Sequence, residues 1–189
     1  NNDADHAAVE ARRASLGKQP MFGTVVIGEG ERDKAPMLYI GEKVGGQARN
    51  AATSPLAEEA VAVDIAVDPL EGTSLCAHAK PGALSVIALS TKGGLLHAPD
   101  VYMDKIAVGP GLPEDTLSLD ETPARNIEAF SRLSGKAPEE ICVLVLERPR
   151  HAKLIEELWA TGAKVKLISD GDIAAALATA LPETGVDMY

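Results

Sequence analysis

Asp68-Pro69-Leu70-Glu71-Gly72-Thr73 sets two carboxylates three residues apart at the point where an apolar run stops. Pro69 stiffens the turn and Gly72 lets the backbone fold back, so Glu71 can aim at the same point as Asp68. Two carboxylates sharing a few ångströms raise each other's pKa unless a cation lies between them. Hard divalent cations take such oxygen ligands, and Mg²⁺ or Mn²⁺ suits the pair. Thr73 adds a hydroxyl beside the metal, close to a substrate or an attacking water. The plainer alternative is a solvated turn with incidental acids, because Pro-x-Glu-Gly turns are common.

Further acids stand at other element ends. "GEGE" puts Glu29 and Glu31 on a Gly-punctuated turn, and Asp5 stands at a helix start as a third oxygen donor or simply as a cap. In the second half, Arg150-His151 and Asp170-Gly171-Asp172 each follow an apolar strand. Open α/β sheets bind ligands at the carboxyl ends of their strands. Arg150 with His151 suits a phosphate, and the two aspartates suit sugar hydroxyls. The plain readings are an exposed Arg, a surface His and Asp172 as an N-cap. Tyr102 reads as packing, and His78 and His97 have no evident partner and read as structural. No nucleophilic triad is recognisable, and "IGEGER" lacks the glycine spacing of a dinucleotide fingerprint.

These residues need elements to position them. The sequence predicts a helix over 6–16, capped by Asp5 and ended by Gly17, and a strand from Thr24 to Ile27. "PMLYIGEKV" is a second short apolar run, and 45–58 reads as a surface loop. Along 61–68, Val61, Val63, Ile65 and Val67 alternate with Ala62, Asp64, Ala66 and Asp68, as a pleated strand requires. A strand over 82–90 follows, then two strands around a turn at Ala98-Pro99-Asp100, so the first part reads as a largely antiparallel sheet. Thr122 and Pro123 open a helix that Gly135 closes. Beyond it the texture becomes strand 141–147, helix 152–161, strand 164–169, helix 172–181 and a strand beginning at Val186. The apolar stripe of the helix over 152–161 is Leu154, Ile155, Leu158 and Trp159. The fold class is thus α+β with an α/β second part. The boundary falls near 136, between a metal-binding catalytic domain over 1–136 and a partial βαβαβ substrate-binding domain over 137–189.

Composition narrows the function classes. The chain has 189 residues, 46% apolar but only 3% aromatic, so Val, Ile, Leu and Ala must fill the core. A formal net charge of -10 argues against nucleic-acid or anionic-membrane binding and leaves small phosphorylated ligands open. No stretch approaches the roughly 18 apolar residues of a membrane span. Cys76 and Cys142 in apolar contexts read as buried free thiols in a reducing compartment, with the cytoplasm as the default and an organelle open if a leader was removed.

"GTVVIGEGERDKAPMLYIGE", "VDIAVDPLEGT", "GGLLHAPDVYMDK", "RPRH" and "ISDGDIAAALATALPETG" follow one another in an order and spacing that resemble the class II, GlpX-type fructose-1,6-bisphosphatases. The nearest flavour is the bifunctional fructose-1,6-/sedoheptulose-1,7-bisphosphatases of photosynthetic microbes. "DPLEGT" alone would indicate only the wider lithium-sensitive sugar and inositol phosphatase superfamily, with its layered αβαβα sugar-phosphatase fold. The resemblance spans nearly the whole chain except 45–58, which looks like a local insertion.

The resemblance implies that Asp5, Glu29, Asp68 and Glu71 ligate Mg²⁺ or Mn²⁺, with Asp68, Glu71 and Thr73 as the catalytic group. It implies that Glu71, Gly72, Thr73, Tyr102, Arg150, His151, Asp170, Gly171 and Asp172 hold the sugar bisphosphate. The implied reaction is in-line hydrolysis of the 1-phosphate, in gluconeogenesis or the reductive pentose phosphate cycle, by a homo-oligomer, a dimer or tetramer. Two departures from the family pattern stand out. No Gly-Asp-Lys stretch precedes Asp5, and the family's later "GxGxAPEG" segment, with a further metal-binding Glu, is missing. A truncated chain is therefore the expectation, with an open sheet edge after Val186 and two rival readings: an impaired fragment that binds metal or partner chains, or an inositol- or nucleotide-type phosphatase.

Overall fold

The computed structural model of the protein describes residues 2–28, 38–46, 61–97 and 101–189. They fall into two compact units, Asn1–Asp100 and Val101–Tyr189.

The first unit opens with helix α1 (Asn2–Leu16), whose first turn holds Asp3 and Asp5 and whose last holds Arg13, matching the helix dipole at both ends. The Gly17 amide closes it by donating to the Arg13 carbonyl at 2.9 Å. The helix starts earlier than residue 6, so Asp5 lies inside its first turn and is not its N-cap. Val9 and Leu16, seven residues apart and so on one face, are both buried against the sheet.

That sheet contains β1 (Met21–Ile27), β2 (Lys43–Val44), β3 (Val61–Glu71) and β4 (Leu84–Thr91), in the order β2-β1-β3-β4. A short helix α2 (Thr73–Ala77) stands between β3 and β4. The sheet is mixed: β1 pairs antiparallel with β2, β3 antiparallel with β4, but β1 and β3 run parallel. β2 thus occupies one edge of β1 and β3 the other. Met21, Val25, Leu38, Val44, Ile65 and Val67 complete the core with Val9 and Leu16. Full burial of side chains such as Val25 and Ile65 is worth about 2 kcal/mol each.

The alternation expected along β3 holds at Ile65 and Val67, which are buried, but its first residue Val61 is exposed. Asp64, on the opposite face, is nonetheless buried, because its Oδ2 accepts from the Gly93 amide at 2.6 Å. Two expected strands are not formed: described residues 94–97 and 101–107 carry no strand, and Val108 makes only an isolated bridge to Met188. The turn at Ala98-Pro99-Asp100 lies outside the described residues. So do Glu29, Glu31 and residues 47–58 of the expected surface loop.

The second unit begins with an irregular segment and helix α3 (Pro123–Ser134), started by Thr122, whose Oγ1 accepts from the Arg125 amide, and ended by Gly135 at φ 74°. Strand β5 (Cys142–Leu146), helix α4 (Ala152–Ala160) and strand β6 (Lys164–Ile168) form a βαβ unit with paired parallel strands. Helix α5 (Asp172–Ala178) follows and is three residues shorter than expected. The strand expected from Val186 is reduced to isolated bridges at Met188, to Val108 and Val143.

The division lies at residue 100, earlier than the change of texture near 136, and packing explains the difference. Ile127 and Phe130 of α3 share one core with Val143 and Val145 of β5 and with Ile155 and Leu158 of α4. Within the stripe foreseen on α4, only Ile155 and Leu158 are buried, while Leu154 and Trp159 are exposed. Cys142 is buried as expected, whereas Cys76 is exposed; both are free.

Candidate functional site

In the first unit, β3 carries the acids through its own irregularity. Asp68 pairs with Val86 and Glu71 with Leu84, so three steps on β3 face two on β4 and the register shifts between them. Pro69 sits in this bulge, fully buried, with no amide to give to the ladder. A central strand tolerates proline at such a bulge, and the bulge re-aims the side chains around it. The Leu70 amide donates to Asp68 Oδ1 at 3.0 Å and holds the carboxylate over the turn. Gly72 then takes φ 79°, a conformation that only glycine adopts cheaply, and its carbonyl starts α2 by accepting from the amides of Leu75 and Cys76. Thr73 is the first residue of that helix and stands two residues after Glu71 in the chain.

Helix α1, which bears Asp5, packs against β3 and α2. Asp5 Oδ1 is buried and has no hydrogen-bond partner among the described residues; Glu71 Oε2 is also buried. Burying a carboxylate oxygen away from any donor is costly, and a bound cation is one thing that would offset the cost. The all-oxygen set of Asp5, Asp68 and Glu71 therefore fits a hard divalent ion in chemistry and in this orphaned atom. Among the described residues, however, no group of three or more His, Cys, Asp or Glu is gathered closely enough to hold a metal, and Glu29 lies outside them.

In the second unit the two loops foreseen as ligand-binding follow adjacent parallel strands. The turn Pro149–His151 leaves β5, and Ser169–Gly171 leaves β6. The His151 Nδ1–H donates to the Leu146 carbonyl at 2.8 Å; a carbonyl can only accept, so Nε2 is the ring atom left for a ligand. The Arg150 guanidinium lies 4.4 Å from the centre of the Tyr102 ring. Tyr102 is 86% exposed, so this stacking, not core packing, is what it does. Asp170 Oδ1 accepts from the Gly171 amide at 3.1 Å, and Gly171 at φ 97° turns the chain into α5. Asp172 is the first residue of that helix and is not its cap.

Two basic residues that the sequence reading did not single out tie these loops together. Arg148 Nη1 donates to the carbonyls of Ser169 at 2.6 Å and Glu147 at 3.1 Å, bridging the ends of β5 and β6. Its Nη2 lies 3.9 Å from Asp170 Oδ1. Lys105 Nζ lies 2.8 Å from Asp172 Oδ2. The first arginine of "RPRH" stood at a strand end and could have been found there; Lys105 could not, since its partner is 67 residues away.

A family model described as "Bacterial fructose-1,6-bisphosphatase, glpX-encoded" matches residues 1–189. The chain belongs to that family. Similar proteins are named D-fructose 1,6-bisphosphatase class 2/sedoheptulose 1,7-bisphosphatase. The one from Trichodesmium erythraeum is 47% identical over 98% of this chain and 54% of its own length. The one from Synechococcus elongatus is 48% identical over 93% of this chain and 51% of its own. The one from Synechocystis is 47% identical over 98% and 54%. The chain thus spans about half the length of these relatives, and the glpX-family match embraces both of its compact units.

Proposed function

We propose that this chain carries the metal acids and sugar-phosphate contacts of an enzyme that hydrolyses the 1-phosphate of fructose 1,6-bisphosphate, and of sedoheptulose 1,7-bisphosphate as an alternative substrate. The observation that carries this reading is the family match along the whole chain, with relatives of 47–48% identity that bear those names. The family names also disfavour the inositol- and nucleotide-phosphatase alternatives.

In this reading Asp5, Asp68 and Glu71, with Glu29, hold Mg²⁺ or Mn²⁺. The ion, when bound, neutralises phosphoryl oxygens and lowers the pKa of its water. Thr73, two residues after Glu71, offers its hydroxyl to orient the attacking water in line with the ester bond. Glu71, Gly72 and Thr73 form the rim nearest the 1-phosphate. Arg150, stacked with Tyr102, supplies fixed positive charge for a phosphate, and His151 offers Nε2 beside it. Asp170 and Asp172, on the Gly171 turn, accept sugar hydroxyls. The layered sugar-phosphatase fold, a homo-oligomeric assembly and a cytoplasmic setting belong to the same proposal. Among the described residues, no helix is long and apolar enough to cross a membrane.

The test is release of inorganic phosphate from fructose 1,6-bisphosphate with Mn²⁺, with Mg²⁺ and with chelator. Turnover that needs the metal and disappears in Asp68→Asn is the expected result. Metal binding without any phosphate release would assign this chain a binding role only.

A further inference from the structure

Residues 101–107 have no regular structure, yet they are tied down at three points. At the base, Ala107 and Tyr189 exchange backbone hydrogen bonds at 2.8 and 2.9 Å. Lys105 meets Asp172 through its ammonium at 2.8 Å, and Tyr102 lies over Arg150. The two side-chain ties are three residues apart, and each ends just beyond a strand of the parallel pair, one on the turn after β5 and the other at the first residue of α5 after β6. The segment therefore straps both strand ends, and Lys105 is its one basic residue.

We propose that Lys105 is a positioning residue for the sugar-phosphate loops. Its ammonium occupies Oδ2 of Asp172, which leaves Oδ1 as the oxygen offered to a sugar hydroxyl and restrains the carboxylate's rotation. The same contact keeps the segment seated, so that Tyr102 stays over Arg150 and the guanidinium is held where a phosphate would meet it. Lys105 does this without touching the ligand. Neither the sequence motifs nor the family description assigns it this part, and the inference rests on the sugar-bisphosphate reading above. Both partners are partly exposed, with side-chain accessibilities of 52% and 31%, so each tie is modest and the effect comes from ordering two groups at once.

The experiment has two arms. In the first, fructose 1,6-bisphosphate is titrated calorimetrically into the chain in chelator, so that nothing turns over. Lys105→Met is expected to weaken binding about fivefold, as the loss of one partly exposed charge-assisted contact implies. Lys105→Arg restores most of it, and Lys105→Met adds nothing once Asp172→Asn is present. An equal loss in the Asp172→Asn background would mean that Lys105 contacts the ligand itself, and would overturn the proposal. The second arm needs no ligand: the Arg150 side-chain protons, shifted by the Tyr102 ring current, are followed by NMR. Lys105→Met is expected to abolish that shift at an unchanged melting temperature; an unaltered shift would overturn the proposal. If the unsubstituted chain fails to bind the sugar bisphosphate, the functional reading falls for this chain, and the ring-current arm alone decides whether Lys105 seats the strap.

Discussion

Gly28, the residue immediately before Glu29, is a place in the first unit where a single methyl group should be strongly felt. A Cβ built there would lie 2.2 Å from the Leu38 carbonyl oxygen and 2.8 Å from Val25 Cγ1. The obstacle is backbone, so the 38–42 segment would have to retreat by roughly 1 Å to reach ordinary contact distance. That segment is not free to do so. The Gly41 amide donates to the Val25 carbonyl at 2.7 Å and the Val25 amide to the Glu42 carbonyl at 3.0 Å. Leu38 is fully buried, and the Glu42 carboxylate is gripped by Arg13 at 2.9 and 3.2 Å. Breaking the two backbone bonds costs about 1 kcal/mol each, and partly uncovering Leu38 costs a similar amount. Gly28→Ala is therefore expected to destabilise the first unit by about 3 kcal/mol.

Gly41→Ala is the control. Gly41 has φ 91° with nothing within 4 Å of an added Cβ, so its cost is conformational only, about 1 kcal/mol. Urea unfolding followed by circular dichroism gives both values. Amide exchange at Val25 and Gly41 reports on the same unit by an independent route. A cost for Gly28→Ala no larger than that of Gly41→Ala would refute the argument that the two segments are pressed together there.

Asp5→Asn removes the charge of a carboxylate whose Oδ1 is buried without a partner among the described residues. In chelator it is expected to raise the melting temperature slightly, and it should abolish the stabilisation seen on adding Mn²⁺; an undiminished Mn²⁺ response would exclude Asp5 as a ligand. Arg13→Met breaks the fork to Glu42, with an expected cost of about 2 kcal/mol given the low exposure of both side chains. The hydrogen bond that Arg13 donates to Glu42, and then the charges of Glu42 and Glu10, raise the Arg13 pKa against the opposing effect of burial. A raised base contributes stability that is fully present below its unfolded pKa and is lost only above it. The gap between the unsubstituted chain and Arg13→Met should thus be equal at about pH 7 and about pH 10. A gap that narrows by the higher pH would contradict this.

Much of the site was written in short-range terms that a linear reading can use. Asp68-Pro69-Leu70-Glu71-Gly72-Thr73 announced a strand end rich in acids with a turn after it, and the bulge, the buried Pro69 and the positive φ of Gly72 are the local backbone features found there. The cap at Thr122, the stop at Gly135 and the βαβ alternation of β5, α4 and β6 were legible for the same reason, since capping and periodicity act within a few residues. Family membership was legible too, because motif order survives without any knowledge of contacts.

What the sequence could not determine was every choice made between distant partners. Apolar runs do not say which edge they will join, so the parallel pairing of β1 with β3 and the absence of strands over 94–97 and 101–107 appeared only with the fold. Local texture suggested a boundary near 136, but the shared burial of Ile127 and Phe130 with β5 and α4 drew helix α3 into the second unit. Asp5 looked like a cap until the helix began three residues before it and left one of its oxygens buried. Lys105 was one charged residue among many until a carboxylate 67 positions away closed on it. The types and spacing of the acids are local properties of the chain. Which of them are buried, and which cations reach them, depends on contacts that exist only once the chain has folded.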